Sequence, residues 1–349
     1  MRIVLTGGGT GGHVIPNVAI IEELKKHKDT EILYIGSHDG IEREIISKIG
    51  VRYESVSTGK LRRYFSWQNF IDAFKVPVGY FQAKKILKDF GAEVVFGKGG
   101  FVSVPVVVAA SRLKIPVIIH ESDLSPGLAN KIALRFADKI CTSFEETSSY
   151  VPKKYAKKVV YTGTLVRESI LKGDKESGYK FAGFDKHRPV ILVMGGSQGA
   201  MQINELVRNN LDELLRKYQI IHVVGRGNLD IAIHKKGYAQ FEFLDERMKD
   251  VYAMSEMVIT RGGANSLFEL AILKKRAVVI PLGTEGSRGE QWQNTRILAN
   301  KMGWSVLGGE INGENFVGAI AMALNNKLTI GKKVENGVKK VVEIVLNNN

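Results

Sequence analysis

Short β-branched runs alternate with longer stretches of helical spacing along this chain, and the alternation starts over near residue 190. Arg2–Leu5, Ile32–Ile35, Val94–Phe96, Val117–His120, Lys139–Thr142 and Val159–Tyr161 read as buried strands. Pro16–Lys26 carries Val18, Ile21 and Leu24 at helical spacing. The second series opens with the strand Val190–Met194, the glycine loop Gly195–Ala200 and the amphipathic stretch Ile203–Leu215. Ile220–Val224, Gln240–Phe243, Met257–Thr260 and Val278–Pro281 follow as strands. Alternation of this kind builds parallel sheets flanked by helices. The expected organisation is therefore two related α/β halves, 1–163 and 164–331, joined by a polar stretch at Gly173–Gly183. A last helix, about 332–349, is expected to pack back on the first half, with Asn347–Asn349 fraying.

A length of 349 residues suits two domains, and 44% hydrophobic with 25% charged residues is an ordinary folded composition. The net charge of +14 favours anionic partners, whether nucleic acid, acidic lipid or a phosphorylated substrate. Cys141 is the single cysteine, so no intramolecular disulfide forms, as suits a reducing compartment. No secretory leader is expected, because Gly7 ends the apolar run that starts at Ile3. Gly99–Ser111, the longest uncharged apolar run, falls short of the roughly 20 residues that span a bilayer.

Glycine punctuates three strand-to-helix junctions: Gly7–His13, Gly97–Gly100 and Gly195–Gly199. Such loops let backbone approach a ligand, and the helix behind them offers unpaired N–H groups to phosphate. They also serve as plain tight turns, but two at equivalent places point to a binding cleft between the halves. Gly7, Gly9 and Gly12 satisfy G-x-G-x-x-G, yet the second strand ends in Ile35-Gly36-Ser37 without the acidic residue that would hold a dinucleotide ribose. None of the loops ends in Lys-Ser or Lys-Thr, which excludes a Walker A site. With no D-x-D pair and no Cys/His cluster at zinc spacing, neither a metal nor a cofactor is expected. A departing pyrophosphate would then be stabilised by helix N-termini and basic side chains.

Two residues invite chemistry on their own. Glu269 lies on a helix whose apolar face is Leu267, Leu270 and Ala271, behind Asn265-Ser266. It is either a solvated helix carboxylate or an acceptor for a ribose diol. His13 follows the first glycine loop at a helix start, with an unperturbed pKa of about 6.5 that suits a base near neutrality. It is either that base or a ligand to a pyrophosphate.

The motifs Thr6–His13 (TGGGTGGH), Gly97–Phe101 (GKGGF), His120–Asp123 with Pro126–Asn130, Gly195–Ala200 (GGSQGA) and Arg261–Glu269 (RGGANSLFE) resemble those of the MurG family in order and spacing, over nearly the whole chain. The resemblance implies a GT-B fold, two Rossmann-like domains with parallel sheets facing across a cleft. It also implies inverting transfer of GlcNAc from UDP-GlcNAc to the C4 hydroxyl of an undecaprenyl-pyrophosphoryl-MurNAc-pentapeptide at the cytoplasmic face of the cell membrane.

Residue by residue, the resemblance gives Thr10, Gly11 and Gly12 to substrate and His13, aided by Glu121 or Asp123, to proton transfer. Glu269 would take the ribose hydroxyls, with Ala264, Asn265, Ser266, Leu267 and Phe268 along the nucleotide. Leu244 would meet uracil through its backbone, Ser197 a phosphate, Arg167 the nucleotide, and Gln291 and Asp123 the GlcNAc hydroxyls. Asp123 stands where some members carry asparagine; when ionised it accepts hydroxyls but does not donate. Leu165 replaces a frequent proline, and Glu290 precedes Gln291 where some members carry a second glutamine.

Gly59–Gly91 interleaves Lys60, Arg62, Arg63, Lys75, Lys84, Lys85 and Lys88 with Tyr64, Phe65, Trp67, Phe70, Phe74, Tyr80 and Phe81. Rings at headgroup depth and cations for anionic lipid make an interfacial segment; an amphipathic core helix with a solvated basic face has the same composition. The resemblance favours a peripheral membrane surface. Rival readings are a UDP-GlcNAc 2-epimerase, an NAD-dependent oxidoreductase and a nucleic-acid-binding protein; for the last the chain has no helix-turn-helix, zinc-finger or RNP-like signature, and no nucleic acid is expected.

Overall fold

A computed structural model describes residues 1–59, 67–196, 199–283, 289–326 and 334–348, with backbone only for 67–75. The chain divides into two compact units, Met1–Arg167 with Glu335–Asn349, and Glu168–Val334.

The first unit runs β1 (Arg2–Thr6), α1 (Gly11–Leu24), β2 (Glu31–Gly36), α2 (Ile41–Lys48), β3 (Arg52–Ser55), α3 (Trp67–Phe90), β4 (Val94–Gly97), α4 (Ser103–Arg112), β5 (Val117–Glu121), α5 (Leu128–Ala133), β6 (Lys139–Thr142) and β7 (Val159–Tyr161). Its strands are all parallel, in the order β3-β2-β1-β4-β5-β6-β7. Alternate residues of one strand face opposite sides, so each strand feeds two cores. Ile3 and Leu5 join Val14, Val18 and Ile21 of α1, together with Val341, Val342 and Val345 of the C-terminal helix Val338–Leu346. Val4 faces the other way, into the cluster of Ala83 and Leu87 of α3 and Val106 and Ala110 of α4. Burial on both faces is why these strands are apolar throughout rather than alternating.

The second unit repeats the plan with α6 (Lys175–Ala182), β8 (Val190–Met194), α7 (Met201–Asn209), α8 (Leu211–Lys217), β9 (Gln219–Val223), β10 (Tyr238–Phe241), α9 (Met248–Met254), β11 (Met257–Thr260), α10 (Ala264–Ile272), β12 (Arg276–Val279), α11 (Glu290–Met302), β13 (Ser305–Val306) and α12 (Gly313–Asn325). Its parallel order is β10-β9-β8-β11-β12-β13. Both sheets reverse their winding beside the first strand of the unit, between β1 and β4 and between β8 and β11. In open α/β sheets, ligands sit outside the carboxyl ends of the strands at that switch point.

Two expectations need correction. The stretch Gly173–Gly183 is no plain connector, since it contains α6. Asp174 caps that helix by accepting from the Ser177 N–H at 2.7 Å, and Gly183 ends it in the left-handed region. The single helix expected over Ile203–Leu215 is two, interrupted at Asn210, whose Nδ2 donates back to the Leu206 carbonyl at 2.8 Å. A short amide that bonds its own backbone competes with helix continuation.

Behind β8 and β9 lies a buried polar chain. Tyr238 donates to His222 Nδ1 at 2.9 Å, and His222 Nε2–H reaches Asn204 Oδ1 at 3.0 Å. Asn204 in turn donates to the Val224 carbonyl. Burial, and secondarily Arg208, lower the His222 pKa to about 3. The unfolded chain takes up this proton from about pH 6.5 downward, whereas the folded chain refuses it until about pH 3. The contribution of the neutral ring is therefore complete above pH 6.5 and lost progressively below it, about 2 kcal/mol by pH 5. Urea midpoints measured at pH 7.5 and 5 are expected to fall accordingly, and His222→Gln to shrink that fall.

Candidate active site

The carboxyl edge of the first sheet gathers the loops after β1, β4 and β5. A methyl group on Gly100 would lie 2.2 Å from the Gly8 carbonyl oxygen, and Gly100 has φ +78°, so only glycine lets the two loops meet here. The loop after β1 is held from beneath. Tyr34 donates to the Gly7 carbonyl at 2.7 Å, and Asn17 Nδ2 donates to the Tyr34 oxygen at 3.0 Å. The buried Glu42 carboxylate, at the start of α2, accepts from the N–H groups of Gly9 (3.1 Å) and Ser37 (3.0 Å).

Gly9, Thr10 and Gly12 are exposed on this rim, and Gly11 is half-buried. His13 stands in the first turn of α1, with its N–H bonded to the Thr10 carbonyl at 3.0 Å. Its ring lies over Gly99: a methyl group there would be 3.5 Å from His13 Cε1 and 3.4 Å from both amide atoms of Asn130. Asn130 Nδ2 donates to Glu121 Oε2 at 2.8 Å and to the His120 carbonyl at 3.2 Å. Glu121 also accepts from the N–H groups of Gly127 (2.9 Å) and Asp123 (2.9 Å). Its carboxylate thus closes the loop Ser122–Gly127 on itself, and Asp123 remains half-buried at the rim.

Lys98 is only 2% exposed. Burial lowers its pKa, against the pull of Glu121 and Asp123. His120 is buried with Nε2 3.4 Å from the Gly163 carbonyl, and burial together with Lys98 holds it neutral, well below the usual histidine range.

The second sheet presents the loops after β8, β10, β11 and β12. Ser197 lies outside the described residues. Gly199 turns with φ +78°, and a methyl group there would meet the Val224 carbonyl at 2.3 Å. Helix α10 begins at Ala264 with Gly263 as N-cap and no side-chain cap, leaving the amides of its first turn toward the carboxyl edge. Ala264, Leu267 and Phe268 are buried, so they can offer a ligand only backbone. Asn265, Ser266 and Glu269 are half-exposed and share one face by their three- and four-residue spacing.

Gln291 Oε1 accepts from the N–H groups of Gly262 (3.2 Å) and Leu282 (3.0 Å), clamping the loops after β11 and β12. The Leu244 side chain is buried in the loop after β10. Arg167 ends the first long segment of unit 1, which is stitched to the returning chain by Thr164 N–H to the Glu335 carbonyl (3.0 Å) and Asn336 Nδ2 to the Val166 carbonyl (2.8 Å). The Arg167 Nε is buried and has no hydrogen-bond partner among the described residues.

Four supporting residues escaped the sequence reading as functional candidates: Glu42, Lys98, Asn130 and Tyr252, whose hydroxyl donates to Glu269 Oε2 at 3.2 Å. Lys98 and Asn130 sit inside recognised motifs, so a signal existed for them. Glu42 and Tyr252 come from helices with no local signature.

The chain matches the glycosyltransferase family 28 N-terminal domain over residues 3–142 and the C-terminal domain of that family over residues 190–345. It is 46% identical to the UDP-N-acetylglucosamine–N-acetylmuramyl-(pentapeptide) pyrophosphoryl-undecaprenol N-acetylglucosamine transferase of Clostridium botulinum strain Kyoto, covering 99% of this chain and 98% of that one. It is 48% identical to the transferase of the same name from Geobacillus thermodenitrificans, covering 96% and 94%. Among solved structures, Acinetobacter baumannii MurG aligns with a TM-score of 0.71 at 22% identity over 99% of each chain. The UDP-GlcNAc 2-epimerase of Neisseria meningitidis aligns with 0.67 at 16% identity over 99% of this chain and 100% of that one. At such identities the two structures speak for the fold alone. The sequence relatives speak for more: matched in both halves and aligned nearly end to end with transferases of one name, the chain belongs to the MurG family of glycosyltransferase family 28.

Proposed function

We propose that this glycosyltransferase moves GlcNAc from UDP-GlcNAc to the C4 hydroxyl of a lipid-linked MurNAc-pentapeptide, inverting the anomeric centre. The observation that carries the reading is its identity of nearly one half, over nearly the full length, with relatives named for that transfer. The epimerase, matched only at the level of fold, is the weaker reading.

In the reaction, the acceptor oxygen attacks C1 of GlcNAc as the bond from C1 to the UDP β-phosphate oxygen breaks. The hydroxyl proton passes to a base, and UDP departs with the bonding pair. His13 is assigned as that base, with Asp123 of the loop after β5 as its helper. Glu121, its oxygens already taken by three donors, is assigned to holding that rim in shape. Thr10, Gly11 and Gly12 offer backbone to the acceptor pyrophosphate. On the donor side, Glu269 accepts from the ribose diol and Leu244 offers backbone to the base. Ser197 and the first-turn amides of α10 meet the diphosphate, where they offset the charge gained as UDP leaves. Arg167 brings a guanidinium to the nucleotide, and Gln291 and Asp123 bond the sugar hydroxyls.

The acceptor lipid implies work at a bilayer surface. Among the described residues no helix is long and apolar enough to cross a membrane. Helix α3 buries Ala83, Leu87 and Phe90 in the core. On its other side, Val78 (50% exposed) and Phe81 (67% exposed) continue at the same spacing into exposed Lys85 and Lys88. An apolar patch leading into lysines suits anionic headgroups. Lys60, Arg62, Arg63, Tyr64 and Phe65 of this segment lie outside the described residues.

The direct test is UDP release from UDP-GlcNAc in EDTA, with and without a lipid-linked MurNAc-pentapeptide analogue. Release is expected only with the acceptor, and undiminished by the chelator. Binding of UDP-GlcNAc without acceptor-dependent release would sink the acceptor assignment.

A further inference from the structure

We infer that Tyr252 is a positioning residue for the donor: its hydroxyl aims the Glu269 carboxylate at the ribose diol. The inference rests on the assignment of Glu269 to the ribose. Tyr252 comes from α9, not from the motif that carries Glu269, and it is 1% exposed. A buried phenol must place its O–H on an acceptor. Acceptors in reach among the described residues include Glu269 Oε2 at 3.2 Å and the Met194 sulfur at 3.5 Å. The carboxylate is by far the stronger acceptor of the two.

Met194 is the last residue of β8, immediately before the glycine loop Gly195–Ala200. The Tyr252 oxygen therefore sits at a junction between the loop assigned to the diphosphate and the carboxylate assigned to the ribose. Glu269 projects from the half-exposed face of α10 on a long side chain with several rotatable bonds. One donor on Oε2 fixes the plane of the carboxylate, and a carboxylate with about four lone-pair sites keeps capacity for a vicinal diol. Without that donor the carboxylate is less ordered, and the nucleotide bears more of the ordering cost as it binds.

The test compares calorimetric binding of UDP and of 2′,3′-dideoxy-UDP, which lacks the diol, to the parent, to Tyr252→Phe and to Glu269→Gln. Tyr252→Phe retains the ring and removes only the hydroxyl. It is expected to weaken UDP about 5–10-fold, the effect of one hydrogen bond, and to leave the dideoxy nucleotide within about twofold of the parent. Glu269→Gln is expected to shrink the preference for UDP further in the same direction. Equal losses for both nucleotides in Tyr252→Phe would make Tyr252 a packing residue and overturn the inference, as would undiminished UDP binding. If Glu269→Gln keeps the parent preference for UDP, the ribose assignment itself fails and carries the inference down with it. If only Tyr252→Phe keeps that preference, the ribose assignment stands and the inference alone falls.

Discussion

His13→Ala is expected to lower kcat about 10²–10⁴-fold, the usual contribution of a positioned general base, while the KM for UDP-GlcNAc stays within about threefold of the parent. The split follows from where the residue stands. His13 belongs to the first sheet's carboxyl edge, near Gly99 and Asn130, whereas all the residues assigned to the nucleotide except Arg167 belong to the second unit. A proton acceptor acts only as the hydroxyl attacks, so its loss appears in turnover rather than in donor binding. A histidine that merely holds the acceptor pyrophosphate would give the opposite pattern, a raised acceptor KM with kcat preserved. Steady-state kinetics with both substrates varied separates the two.

The second large effect is on stability. Glu121→Ala is expected to cost about 3–5 kcal/mol, comparable to breaking a buried ionic network. The lost carboxylate leaves the N–H groups of Asp123 and Gly127 and the amide of Asn130 without their acceptor. It also removes the stronger of the two negative charges that act on buried Lys98. For a unit of this size the loss corresponds to roughly 10 °C in melting temperature. Calorimetry, with hydrogen exchange read over residues 117–133, is the check. A variant that melts like the parent but turns over poorly would return Glu121 to the chemistry.

What could be read from residues alone follows from what each feature demands. The glycine loops were legible because a backbone that turns with positive φ, or passes within contact distance of another backbone, restricts the residue type. Gly100 against the Gly8 carbonyl is such a place. The central strands were legible because helices cover both faces of the parallel sheets, so no polar alternation blurs them. Helix α6 went unread although its cap and its stop, Asp174 and Gly183, flank it in the sequence. Its apolar content is slight, and apolar periodicity was the signal followed. The break at Asn210 was unread because it depends on one side chain's choice of partner.

The site divides in the same way. The residues assigned to the substrates carried a pattern, as at His13 and Glu269 on helices and at Asp123 in a loop. Two of those that brace them did not. Glu42 supports Gly9 from 33 positions away, and Tyr252 reaches Glu269 from a different helix. A brace needs only to arrive in space, and nothing near it in the chain announces the destination.

The C-terminal helix has a consequence for the order in which the molecule is made. Val341, Val342 and Val345 complete the core that Ile3, Leu5 and α1 begin. Residues 168–334 form their own unit in between. During synthesis the first unit therefore emerges first yet cannot finish until residues 338–346 leave the ribosome, whereas the second unit has all its parts earlier. The unit begun first is the one finished last, and until then α1 keeps an uncovered apolar flank that a chaperone can recognise. A released chain cut at residue 337 should hold a folded second unit and a protease-sensitive first one.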